Sequence, residues 1–271
     1  MKDILSEIIL HKQAEIALQQ QAVSLEQLQE QAEAIVRENA PRHRSMKQAL
    51  IASPTGIIAE FKRRSPSKGW INKTAQAEKI PTAYEAAGAA ALSILTDEQF
   101  FGGTLRDLRT ARPLVNIPIL RKDFIISRYQ LLQACITGAD AVLLIAACLS
   151  PEQCNLLTAQ AHELGLEVLL EIHSPSELPY INKEVDMVGV NNRNLGSFVT
   201  DVENSFRLAE QLHHATQGTE SPLLVSESGI SHPETLHRLR AVGFRGFLIG
   251  ETFMKTEHPG ETLKEFITHN S

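Results

Sequence analysis

Residues 57–70 read IIAEFKRRSPSKGW. The first five are apolar apart from Glu60; the run then breaks into Lys62, Arg63, Arg64 and Ser65 and is closed by Pro66 and Gly69. Side chains on a strand alternate, so Glu60 and Lys62 point the same way. If that side is the interior of a parallel barrel, the carboxylate and the ammonium stand at its C-terminal mouth, where such barrels do chemistry. On an edge strand the same residues would form a solvated basic loop. The rest of the chain has to decide between these readings.

Working outward, the chain alternates short apolar runs with longer amphipathic ones. The runs are Gly56–Phe61, Ala91–Leu95, Pro118–Leu120, Ala141–Ile145, Val168–Ile172, Met187–Val190, Leu223–Val225 and Gly246–Ile249. Eight strand candidates separated by helices fit a (β/α)8 barrel, and their apolar character fits parallel strands buried on both faces. Helix starts are expected at Ser150 with Gln153, Ser174 with Glu177 and Ser231 with Glu234, each with capping-box spacing. Gly88, Gly138, Gly165 and Gly243 stand where a helix ends in a left-handed residue. A doubly wound open sheet uses the same alternation, but no G-x-G-x-x-G follows the first strand.

Ahead of the first strand, ILSEIILHKQAEIA and SLEQLQEQAEAIVREN are helical in pattern, with Ser24 and Gln27 spaced to cap the second. Residues 1–45 therefore read as an N-terminal helical extension and 46–271 as one catalytic barrel domain. Because the extension leads directly into strand one, it is expected to help cover the substrate side.

Of 271 residues, 43% are hydrophobic and 21% charged, and the net charge is -6, which argues against general nucleic-acid binding. Three cysteines without C-x-x-C spacing give neither a disulfide framework nor a structural zinc site. The N-terminus lacks the apolar core of a signal peptide, and no stretch approaches the roughly 20 apolar residues of a membrane span. The expectation is a reduced, cytoplasmic protein with no membrane partner.

Polar residues gather at the strand ends: Glu60 and Lys62, Lys122 and Asp123, Glu171, Asn191 and Arg193, then Glu227, Ser228 and Gly229, and last Gly250. Residues from different strands have no local reason to share that position, whereas a site assembled from strand ends requires it. Ser228-Gly229 and Gly250 are small and precede helices, the setting of an anion or phosphate corner. Two lysines and two glutamates in one pocket point to acid-base chemistry without a metal, with a lysine pKa lowered and carboxylate pKa values raised. Arg193 suits a second anionic group. Phe101 and Phe124 can wall a flat ring.

The stretches IIAEFKRRSPSKG, AALSILTDEQFFGG, PILRKDFI, VLLEIH, VGVNNRNL, VSESGI and FLIGETFM closely resemble the indole-3-glycerol phosphate synthase family of tryptophan biosynthesis, over nearly the whole chain. The resemblance implies a (β/α)8 TIM barrel that closes a carboxyphenylamino-deoxyribulose phosphate to indole-glycerol phosphate with loss of carbon dioxide and water, using no cofactor. It implies Lys122 as general acid towards the ketose carbonyl and Glu171 as proton-transfer partner for the dehydration. Lys62 would lie near the leaving hydroxyl and the substrate carboxylate, with Glu60 orienting the lysines. Asn191 and Arg193 would position the anthranilate end, Phe101 and Phe124 would line the apolar side, and Ser65, Ser228, Gly229 and Gly250 would hold the phosphate. Asn191 and Ser228 count with the catalytic set, and Glu227 with the substrate-binding one.

Some members of that family carry serine after the final glycine, where this chain has Glu251, so its carboxylate is expected to face away from the phosphate. The chain ends soon after the last helix, so a stand-alone enzyme is expected, without the fused isomerase barrel of some relatives, as a monomer or weak homo-oligomer. The rival readings are another phosphate-binding barrel, such as a sugar-phosphate isomerase, and a catalytically silent barrel. The latter predicts a missing catalytic position, and none is missing.

Overall fold

The computed structural model describes residues 4–39, 44–194, 199–215 and 221–269. Eight strands form a closed, all-parallel barrel: β1 (Ile57–Phe61), β2 (Ala91–Leu95), β3 (Ile119–Lys122), β4 (Ala141–Ile145), β5 (Glu167–Ile172), β6 (Met187–Asn191), β7 (Leu223–Glu227) and β8 (Gly246–Ile249). Each pairs with its neighbours in sequence, and β8 pairs with β1 to close the ring. The open-sheet alternative is thereby excluded. A two-stranded hairpin, Arg64–Ser65 against Gly69–Trp70, folds out of the loop after β1.

Alternation along the strands builds two apolar layers. Outward residues such as Ile57, Ala59, Phe61, Leu92, Leu144 and Leu170 pack against the helices, while Ile58, Leu120, Leu143, Leu169, Met187 and Leu248 fill the interior. Each such fully buried aliphatic stabilises the fold by about 1.5–3 kcal/mol. Continuing the inward series by two residues reaches Glu60 from Ile58, Lys122 from Leu120, Glu171 from Leu169 and Gly250 from Leu248. The chemistry is carried by the same face of each strand that builds the core, one step nearer the mouth.

The leading helices divide between the two ends. In α1 (Ile4–Ala22), Ile4, Leu5 and Ile8 reach the cavity at the mouth. α2 (Leu25–Asn39) begins with the expected cap, Ser24 and Gln27 bonding reciprocally at 2.9 and 3.3 Å, and packs beside the helix Arg128–Thr137. There Gln29 Oε1 accepts from Arg128 Nη2 at 3.1 Å, and Val23 O accepts from Tyr129 OH at 3.0 Å. α3 (Met46–Ala52) goes to the opposite end: Leu50 lies beside Gly246, the first residue of β8.

Two helix expectations are corrected. After β5 the chain forms a six-residue 3-10 turn, Pro175–Tyr180, although Ser174 and Glu177 do make their capping box. Pro179 within it has no N–H to donate and its ring obstructs an α-helix. Ser231 does not cap the helix after β7. That helix starts at Pro233 with His232 before it, because the proline ring presets the first helical residue. Among the described residues, no helix is long and apolar enough to cross a membrane.

Candidate active site

The strand ends enclose a cavity of about 510 Å³ at the C-terminal mouth of the barrel. Glu60 and Lys62 enter it from β1 and the residue beyond, and are ion-paired with each other. Lys122 enters from β3, with its ammonium 3.3 Å from Glu171 Oε2 and 3.5 Å from Glu227 Oε2. Glu171 is held from two further sides, by Asn191 Nδ2 at 3.1 Å and His173 Nε2 at 3.2 Å, both on Oε1. Asn191 Oδ1 in turn accepts from Arg193 N at 3.0 Å.

Phe101 and Phe124 line the apolar side, with ring centroids 5.9 Å apart, and Ile8 and Leu5 of α1 complete it. Ser228, Gly229 and Gly250 line the other side. Among the described residues, Ser228 is the one non-glycine with positive φ, at 67°, a conformation that costs about 1–3 kcal/mol and is typical of functional turns. Gly250 is there for space: a Cβ would stand 2.2 Å from Glu60 Oε1.

Charge in this site departs from the expected pattern. Burial would lower the Lys122 pKa, but Glu171, Glu227 and Glu60 outweigh it and raise it, because its close neighbours are carboxylates and not cations. Burial would raise Glu60, yet Lys62, Lys122 and Arg193 hold it below the usual carboxylate range. The same contest lowers Glu171, where Lys122, His173 and Asn191 win. Glu227 is pushed up to about 8 by burial and by Glu171. Burial and the neighbouring Glu171 carboxylate therefore favour the protonated form of Glu227 near neutral pH.

Three assignments need correcting. Ser65 is buried in the hairpin, its Oγ accepting from Lys68 N at 3.3 Å, and takes no part in the cavity lining, where Ser67 and Lys68 stand instead. Glu227 lies behind Lys122 and is not part of the lining; it fills the volume left by the missing side chain of Gly189. Glu251 does not turn away. It lines the cavity, with Oε2 at 3.3 Å from Arg193 Nη2 and Oε1 at 3.7 Å from Lys68 Nζ, two cations that draw the carboxylate inward.

His173 and Ser67 were not singled out by the sequence reading. His173 stands two residues beyond Glu171, and Ser67 two beyond Ser65, so strand periodicity pointed to the first and the hairpin hid the second. Among the described residues, no group of three or more His, Cys, Asp or Glu side chains is arranged to hold a metal ion.

A family model described as indole-3-glycerol phosphate synthase matches residues 5–266. The chain belongs to the indole-3-glycerol phosphate synthase family. It is accordingly a carbon-carbon lyase, a decarboxylating enzyme of tryptophan biosynthesis that acts on a small phosphorylated substrate. A relative of that name from Bacteroides thetaiotaomicron is 67% identical over 267 residues, covering 98% of each chain. Another, from Prochlorococcus marinus strain MIT 9301, is 40% identical and covers 98% of this chain and 90% of its own. The fold is also shared with the tryptophan synthase alpha chain from Legionella pneumophila, at a TM-score of 0.55 and 12% identity over 89% of this chain and 95% of that one. A chain from a structure of the tryptophan synthase a2b2 complex of Pyrococcus furiosus gives 0.57 and 15% over 80% and 97%. Those two likenesses concern fold alone.

Proposed function

We propose that the strand-end cluster closes the ring of 1-(2-carboxyphenylamino)-1-deoxyribulose 5-phosphate, with Lys122 as general acid. The observation that carries this is the placement of the Lys122 ammonium between Glu171 and Glu227, next to an aromatic wall. The aromatic carbon bearing the carboxylate attacks the ketose carbonyl, and charge develops on its oxygen. A pre-placed ammonium stabilises that oxygen more in the transition state than in the ground state and then donates its proton. Loss of carbon dioxide restores the aromatic ring. In the dehydration that follows, Glu171 moves the proton, while Lys62 assists departure of the hydroxyl.

Glu60 orients Lys62 through their ion pair. Asn191 holds Glu171 in place, and Arg193 with Lys62 attracts the substrate carboxylate. Ser228, Gly229 and Gly250, with Ser67 in place of Ser65, receive the phosphate, so that binding far from the reacting carbons fixes their approach. In this reading residues 1–45 and 46–271 act as one catalytic unit, without a cofactor, in the cytoplasm, as a monomer or weak homo-oligomer. The test is the rise of indole fluorescence with the synthetic substrate, in wild type and Lys122→Ala. Turnover in the first and its near-complete loss in a folded second variant are expected. Comparable turnover in both would remove Lys122 from the role.

A further inference from the structure

Lys12 lies in α1, far ahead of the barrel in sequence, yet its side chain is fully buried. Its ammonium stands 3.0 Å from each of Asp97 Oδ2, Asp123 Oδ1 and Glu15 Oε2. An isolated buried ammonium is unfavourable, so such a group is retained where its partners compensate it. Burial would lower its pKa, but Asp123, Asp97 and Glu15 outweigh burial and keep it charged.

The two aspartates come from successive strand ends, and each anchors one half of the aromatic wall. Asp97, just after β2, accepts from Phe100 N at 2.7 Å and so caps the short helix α4 (Glu98–Phe101) that carries Phe101. Asp123 directly follows Lys122 and accepts from Phe124 N at 2.8 Å, Thr96 Oγ1 at 2.6 Å and Arg121 Nη2 at 2.9 Å. Among the described residues, Lys12 is the one cation paired with Asp97. On its own helix, Leu5 and Ile8 share the face of Lys12 and line the cavity. Neighbouring His11 meets Phe100 edge to face, with centroids 5.6 Å apart.

We infer that Lys12 is a positioning residue for the reaction: one ammonium joins α1, α4 and the end of β3, and so sets the width of the slot that receives the aromatic ring of the substrate. Without it, two buried carboxylates face each other, α4 and the Phe124 backbone separate, and α1 loses its attachment over the slot. The inference rests on the proposed placement of the ring against Phe101 and Phe124.

The experiment measures kcat and KM by indole fluorescence in the full chain for wild type, Lys12→Met and Phe101→Ala, with inorganic phosphate as a competing probe of the opposite side of the cavity. Lys12→Met is expected to raise KM roughly tenfold while the phosphate inhibition constant stays close to wild type. The double variant Lys12→Met/Asp97→Asn restores charge balance and keeps a capping side chain, so it should recover most of that loss. An unchanged KM in folded Lys12→Met overturns the inference and leaves the ring placement standing. A parallel rise in KM and in the phosphate constant also overturns it, as general loosening. An unchanged KM in Phe101→Ala overturns the ring placement and the inference with it. If Lys12→Met does not fold, Lys12→Arg replaces it, keeping the charge while disturbing the three contacts: a raised KM is expected, and a wild-type KM overturns the inference.

Discussion

Gly189 and Glu227 occupy one shared volume: a Cβ on Gly189 would lie 2.1 Å from Glu227 Oε1 and 3.3 Å from Leu169 Cδ1. Glu227 is fully buried. Gly189→Ala should push its carboxylate against Lys122, lower stability by about 1–3 kcal/mol through overpacking, and reduce kcat more than tenfold. Thermal melting and steady-state kinetics on the same sample check this; a variant with wild-type kcat would show that Glu227 moves freely.

Lys122→Met keeps much of the side-chain volume and removes the charge between Glu171, Glu227 and Glu60. With the proposed general acid gone, kcat should fall by about 10²–10⁴. The inhibition constant for inorganic phosphate, the probe of the proposed phosphate corner at Ser228 and Gly250, should change little. If the phosphate constant rose as steeply as kcat fell, the variant would be misassembled and not merely lacking its acid.

Glu227 makes a pH-dependent contribution of known sign. Its folded pKa of about 8 exceeds the ordinary value of 4.5, so between those limits the native state binds more protons than the unfolded one. Stability from this group therefore declines as pH rises from 4.5 to 8. Glu227→Gln removes the titration, so the difference in Tm, variant minus wild type, should grow between pH 5 and pH 8. A difference that stays flat over that range would mean that Glu227 is ionised throughout.

Glu251 pairs with Arg193 and Lys68, and both cations face the cavity. An incoming phosphate or carboxylate has to compete with it. Glu251→Gln should lower KM by roughly two- to fivefold, the range expected for a partly exposed ion pair, with kcat little altered. The advantage should shrink as ionic strength rises, because the pair lies near solvent. A higher KM in the variant would mean that Glu251 instead orders Arg193 for binding.

Strand alternation made most of the site legible in advance. Glu60 with Lys62, Lys122, Glu171, Asn191 and Gly250 follow apolar inward residues at a spacing of two, which is a local property of the chain. Helix ends were legible for the same reason where a glycine adopts positive φ, as at Gly88, Gly138, Gly165 and Gly243. Ser231 and Ser65 misled because a correct spacing does not determine which side chain is free to turn: Pro233 sets the helix start, and the hairpin turns Ser65 inward.

By itself, then, the sequence determined the alternation of eight strands with helices, the reactive residues at the strand ends and, through its motifs, the family. Closure of the sheet, the inward turn of Glu251, the raised pKa of Glu227 beside Glu171, and the reach of Lys12 to Asp97 and Asp123 were decided only in the folded chain. Periodicity and capping arise between residues a few positions apart. Ion pairing and burial depend on which distant strand ends meet, and on how little water is left between them.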